Sequence, residues 1–213
     1  MNDLPIIKII RLARAEDPTL VTVTVTISAD GKTDKRYLLL PEAFVIDERL
    51  AKGEISPEEF ERIEKEAKKC RAYLRGANIL GYGANSEKKL TEKLQKRGFD
   101  RESAAAAAKK LKSDGFIDEE NDATNKAFVC ARKLWGKKRI VAKLYESGYR
   151  DDAIKAATER LSEVDFVENC KKLIAKKTTA LPTDRKELDK LTAFLIRYGY
   201  SLSEIKQAVP APK

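Results

Sequence analysis

The side chains best suited to act on a ligand in this chain are cationic. Between Lys126 and Tyr145 stand seven of them, Lys126, Arg132, Lys133, Lys137, Lys138, Arg139 and Lys143, and no acidic residue. Such a run neutralises phosphate or an acidic protein surface; it does not make or break bonds. Trp135 sits within it beside Gly136. Its indole can stack on a base, dock on a partner or fill a core. The residues that bond-making chemistry needs are missing. The chain has no histidine, which removes Ser-His-Asp and Cys-His catalysis, histidine-ligated zinc and a histidine pH switch. Cys70, Cys130 and Cys170 are too few and too widely spaced for a zinc knuckle or a disulfide framework, and read as reduced, packed thiols. There is no phosphate-cradling lysine loop and no dinucleotide glycine fingerprint. Glu58-Glu59 and Glu119-Glu120 each fall at a helix start, where capping and the helix dipole account for them. The expectation is no enzyme: no catalytic residue, no metal and no cofactor.

Charge is unevenly distributed. The 213 residues carry a net charge of +9. Residues 1–69 hold 12 basic and 14 acidic side chains, and the remainder 31 and 20. A basic excess confined to the C-terminal two thirds points to a polyanionic partner for that region. No window approaches the roughly 20 apolar residues of a spanning helix. Met1 to Arg14 is interrupted by cations and lacks the apolar core of a signal peptide. The chain is expected to be a cytoplasmic monomer without membrane contact.

These cations need elements to position them. Leu20 to Ile27 alternates strictly between apolar residues and threonine, the pattern of a strand with one polar face. Asp30-Gly31 is a turn signal. Lys35 to Leu40 and Ile6 to Ala13 complete a β-rich unit, residues 1–55, with a short helix after Pro41. Ser56-Pro57-Glu58-Glu59 combines a cap, a first-turn proline and a capping box. Phe60, Ile63, Ala67, Cys70, Leu74 and Ala77 then form one helical stripe.

The rest of the chain repeats. Leu90, Leu94 and Gly98-Phe99 recur as Ile140, Leu144 and Gly148-Tyr149, and again as Leu191, Leu195 and Gly199-Tyr200, at offsets of 50 and 51 residues. Ala104, Ile154 and Ile205 follow in step, as do Leu111 and Leu161. The same offset lays Phe116-Ile117-Asp118 on Phe166-Val167-Glu168. Each glycine ends a helix in left-handed geometry and the aromatic after it closes over the last turn. Asp100 caps the next helix in the first repeat, and Ser201 with Glu204 forms a capping box in the third. The fold class is therefore mainly α: a tandem array of three three-helix units, residues 56–120, 121–168 and 169–213, behind the small N-terminal β-rich unit. The run Ala104–Ala108 predicts a helix that approaches a neighbour closely.

The basic pattern shares the period. Lys88, Lys89 and Lys93 map onto Lys138, Arg139 and Lys143, whereas the third repeat has Asp189, Lys190 and Phe194. Lys89 with Lys93, and Arg139 with Lys143, are like charges one turn apart, costing a few tenths of a kcal/mol per pair. Lys137, Lys138 and Arg139 crowd a helix start, where each cation is disfavoured by roughly 0.3–1 kcal/mol. A bound polyanion or acidic protein surface would offset this.

Several stretches together resemble one family, the RecX regulatory proteins. They are Ser86-Glu87-Lys88-Lys89-Leu90 through Lys96-Arg97-Gly98-Phe99, Gly115-Phe116-Ile117-Asp118-Glu119, Ala127-Phe128 through Trp135-Gly136-Lys137-Lys138-Arg139-Ile140, and Leu144 through Gly148-Tyr149. The resemblance covers residues 67–209 and implies a non-enzymatic regulator. It would bind the RecA recombinase filament on single-stranded DNA, with double-stranded DNA a further partner, and limit filament extension, ATP hydrolysis and strand exchange. The contact residues it implies are Lys88, Lys89, Lys93, Arg132, Lys133, Trp135, Lys137, Lys138, Arg139 and Lys143. Two other readings remain open: a stand-alone DNA-binding helical array, and a protein-interaction scaffold with a basic face.

Overall fold

The computed structural model describes residues 5–178, 182 and 184–209. It divides into two compact units, Met1–Tyr82 with Leu90–Asp114, and Gly83–Lys89 with Gly115–Lys213.

In the first unit the alternating segments form an antiparallel sheet of order β3-β2-β1-β4, with β1 (Ile6–Arg14), β2 (Leu20–Ala29), β3 (Lys32–Pro41) and β4 (Gly53–Ile55). Asp30 (φ 49°) and Gly31 (φ 72°) make the two-residue turn between β2 and β3, whose twist matches that of the strands. The fourth strand goes beyond the sequence pattern. Three residues are too few to display a period, and Gly53 reads more readily as a terminator. Helix α1 (Glu42–Asp47) follows β3. Helix α2 (Pro57–Gly81) starts with the expected capping box: the Glu59 N–H donates to Ser56 Oγ at 3.2 Å and the Ser56 N–H to Glu59 Oε2 at 2.7 Å. Ile63 and Ala67 join Ile7, Ile9, Val21, Val23, Val25, Leu38 and Leu40 in one core. The start of the long helix thus covers the valine face of the sheet.

Further along α2, Cys70, Ala72, Gly76 and Ile79 are buried, as are Ala104, Ala107, Ala108 and Leu111 of α4 (Arg101–Ser113). A Cβ on Gly76 would lie 2.6 Å from Leu111 Cδ1. The alanine run is the close helix contact its composition predicts.

Helix α3 (Glu87–Gln95) begins in the second unit and ends in the first. The second unit continues with α5 (Glu119–Arg132), α6 (Lys137–Glu146), α7 (Asp151–Arg160), α8 (Phe166–Lys177), α9 (Arg185–Arg197) and α10 (Leu202–Ala208). The recurring apolar positions are all buried: Leu90, Ile140 and Leu191; Leu94, Leu144 and Leu195; Ala104, Ile154 and Ile205. Gly98, Gly148 and Gly199 take φ of 88°, 76° and 96°. After each, the aromatic N–H returns to a carbonyl of the preceding helix: Phe99 to Leu94, Tyr149 to Leu144 and Tyr200 to Leu195. This is the Schellman closure.

The offset of 50 fails in one loop. Asp118 caps α5, accepting from the Asn121 N–H, and Asp165 caps α8, accepting from the Glu168 N–H. Phe116 is exposed while Phe166 is buried, so these two aromatics are not equivalent. Helix α7 is shorter than α4 and ends in a 3-10 turn, Leu161–Glu163. The connections to α5 and α8 are equal in length, so α8 starts three residues earlier than the offset of 50 predicts.

Candidate functional site

The predicted contact residues fall at the ends and exposed sides of α3, α5 and α6. Arg132 ends α5 and Lys133 is its C-cap; Lys137 and Lys138 open α6. These four and Lys88 are exposed and form no ion pair among the described residues. Lys93 is exposed, and Lys89, Arg139 and Lys143 are half-buried.

The turn that presents them is held from a distance. Leu134 has φ 60°, a conformation that costs a non-glycine residue about 1 kcal/mol or more. Its carbonyl accepts the buried Tyr200 hydroxyl at 2.9 Å. Burial first, then the neighbouring Cys170 and Glu204, raise that phenol well above its ordinary value. At the next residue but one, the Gly136 N–H donates to the Tyr198 carbonyl at 2.8 Å, and the Lys138 N–H to the Gly199 carbonyl at 3.1 Å. The C-terminus of α9 therefore meets the N-terminus of α6. A Cβ on Gly136 would collide with the backbone of Gly199 and Tyr200, and one on Gly199 with the Arg139 nitrogen. Both positions require glycine.

This contact revises the electrostatic argument made from sequence. The start of α6 abuts the carbonyl end of α9, where the dipole favours cations. Folding thus supplies part of the offset assigned above to a bound polyanion. Arg139 is the clearest instance. Its guanidinium lies 4.0 Å from the Trp135 ring centroid and 4.8 Å from that of Tyr198. Tyr198 leans on Phe194 at 4.6 Å, and Lys177 Nζ lies 4.2 Å from the Phe194 centroid. Two cations and three rings thus form one continuous series from Trp135 to Lys177. Trp135 packs partly buried against the core of this unit.

An analogous contact recurs at the start of α3. Ser86 Oγ accepts from the Lys89 N–H at 3.2 Å and donates to the Ser147 carbonyl at 2.7 Å. The Glu87 N–H donates to Glu119 Oε1 at 3.0 Å. Glu119, read from sequence through capping and the helix dipole, is buried and ties α5 to the start of α3. The bonding roles of Ser86, Ser147, Tyr198 and Glu119 did not emerge from the sequence. The available signal was that Ser86 and Gly136, and likewise Ser147 and Tyr198, occupy matching places in the repeat.

A carboxylate, Glu146, lies beside the cations of α6. Glu146 accepts from Lys143 Nζ at 2.9 Å. The Lys143 bond first, then the charges of Lys143, Lys89 and Lys126, hold it below the usual range. The three cysteines are free and buried; burial pushes the Cys70 and Cys170 thiols up to about 11. No group of residues able to hold a metal occurs among the described residues, and no helix among them is long and apolar enough to cross a membrane.

Known proteins share this outline. The sequence model of the RecX third three-helix domain matches residues 163–209. A regulatory protein RecX of Chlorobaculum tepidum is 32% identical over 147 residues, 68% of this chain and 89% of that protein. The chain belongs to the RecX family. A RecX of Oceanobacillus iheyensis is 29% identical over 174 residues, 79% of this chain; the match spans 63% of that protein's length. A crystal structure of a regulatory protein RecX superposes with a TM-score of 0.73 at 23% identity, covering 95% of this chain and 98% of that one. The RecX fold thus extends over the N-terminal sheet as well as the helices. Membership in RecX assigns a regulatory role.

Proposed function

We propose that this RecX protein is a non-enzymatic, cytoplasmic regulator that binds the RecA filament on single-stranded DNA and limits its extension, its ATPase and strand exchange. The observation that carries this reading is the α5–α6 turn. It holds Arg132, Lys133, Lys137 and Lys138 exposed and without ion pairs among the described residues, on a backbone that a strained Leu134, a glycine contact and the Tyr200 hydroxyl keep in place. A rigid cationic turn suits phosphates or an acidic recombinase surface. Lys88, Lys89 and Lys143, of the same unit, extend the contact, and Lys93 is a separate contact of the first unit. Arg139 and Trp135 serve it by shaping the turn.

The test is the DNA-dependent ATPase of the cognate recombinase with the full chain titrated in. The native chain inhibits at well below one copy per recombinase. Combined Arg132→Glu, Lys137→Glu and Lys138→Glu abolishes the inhibition while the fold, checked by circular dichroism, is kept. No inhibition by the native chain would overturn the reading.

A further inference from the structure

We propose that the open face of the N-terminal sheet is a separate nucleic-acid surface, arranged to stack and hold a single strand. Strand register defines the face. Lys8, Thr26 and Lys35 are paired across β1, β2 and β3, and Arg11, Thr24 and Tyr37 form the neighbouring row. The alternate residues, Ile7, Ile9, Val23, Val25 and Leu38, belong to the core beneath α2, so these two rows point away from it; Thr24, central in its row, is itself buried. Tyr37 is 66% exposed, and Lys35 Nζ lies 5.5 Å from its ring centroid.

The charges are sorted. Residues 1–69 are acidic in balance, yet Lys8, Arg11 and Lys35 lie on this face. Of the β4 residues, Glu54 is opposite Lys8 and pairs with it at 2.8 Å. Arg11 has no ion pair among the described residues. On the other face Arg36 is consumed by Glu64 at 2.7 Å and Asp34 at 3.1 Å, and Arg14 pairs with Glu42 at 3.4 Å. A surplus of cations and an exposed ring on an antiparallel sheet are the components of a single-strand platform. Phosphates meet Lys and Arg, and an unstacked base lies on the ring. A duplex keeps its bases stacked and gains nothing from Tyr37. The inference rests on the sheet alone and predicts strand binding without recombinase.

The experiment measures anisotropy of a short fluorescein-labelled oligothymidylate, and of a labelled duplex, with the full chain. Tyr37→Ala weakens oligothymidylate binding about tenfold and leaves duplex binding unchanged, while Tyr37→Phe keeps the native affinity. Combined Arg11→Glu and Lys35→Glu flattens the log–log salt slope by about 0.7 for each phosphate no longer neutralised. Photo-crosslinking of an iodouracil-substituted strand to the native chain places the adduct on the Tyr37 peptide, without any variant. Equal affinities of Tyr37→Ala and native chain, with no adduct at that peptide, would overturn the proposal. So would an equal loss on strand and duplex, which marks mere charge. If strand binding survives Tyr37→Ala while the Arg132, Lys137 and Lys138 reversals abolish ATPase inhibition, the sheet proposal falls and the filament reading stands.

Discussion

Two helix starts in this protein are built on one plan with different materials. At the start of α3 a serine hydroxyl stands between the backbones, bonded to the Ser147 carbonyl on one side and the Lys89 N–H on the other. At the start of α6 nothing stands between them. Gly136 and Gly199 touch directly, and the Gly136 and Lys138 amides bond to the Tyr198 and Gly199 carbonyls. The absence of a side chain there lets two backbones bond without an intermediary. The repeat therefore keeps a place of contact and not a residue type. A contact made by backbone alone tolerates less change than one made through a side chain.

The largest effect is expected where no atom fits. Gly199→Ala forces a Cβ into the Arg139 nitrogen at a positive φ, and costs about 3 kcal/mol by urea unfolding. A loss under about 1 kcal/mol would show that the contact yields, and the contrast with Ser86 would fail. Ser86→Ala removes a helix cap and leaves the Ser147 carbonyl without this donor, for about 2 kcal/mol. Tyr200→Phe deletes only the hydroxyl that holds Leu134, for about 1 kcal/mol, and leaves amide hydrogen exchange in the first unit unchanged. The smallest effect is on pH dependence. The folded thiols of Cys70 and Cys170 titrate near 11 against an ordinary value of 9.0. The stability they contribute is complete below the unfolded value and is lost as pH rises from about 9 through about 11. Urea midpoints across that window fall, and Cys70→Ala with Cys170→Ala flattens the fall.

Much of the fold was legible because its signals are local. Strict alternation marked β2, and Ser56 and Glu59 marked the start of α2. The glycine-aromatic pairs after α3, α6 and α9 marked three helix ends, since a left-handed residue and the apolar side chain after it are read from adjacent positions. What stayed hidden was either short or distant. Gly53–Ile55 is a strand only because β1 offers it an edge. Asp165 replaces Glu168 as the residue matching Asp118 because α7 closes early, which an ungapped shift of 50 conceals. The site divided in the same way. The exposure of Lys137 and Lys138 agrees with their place in a run without acids. The confinement of Arg139 between Trp135 and Tyr198 depends on residues that a chain pattern does not join. The threonine face was recognised as polar; its sorted cations appear only once the strand register is fixed.

The meeting of α9 with α6 also has a consequence in time. A chain made from its N-terminus presents the cationic turn long before Tyr198, Gly199 and Tyr200 exist. Until they arrive, the Gly136 amide has no carbonyl to receive it, and Leu134 has no hydroxyl to keep it left-handed. Domains generally fold in the order of synthesis, yet here helices made later, α9 and α10, complete a turn made earlier. A nascent or truncated protein ending before residue 198 would carry the full set of basic side chains on an unfinished turn. Full presentation of that turn is reserved for a chain that has reached residue 200.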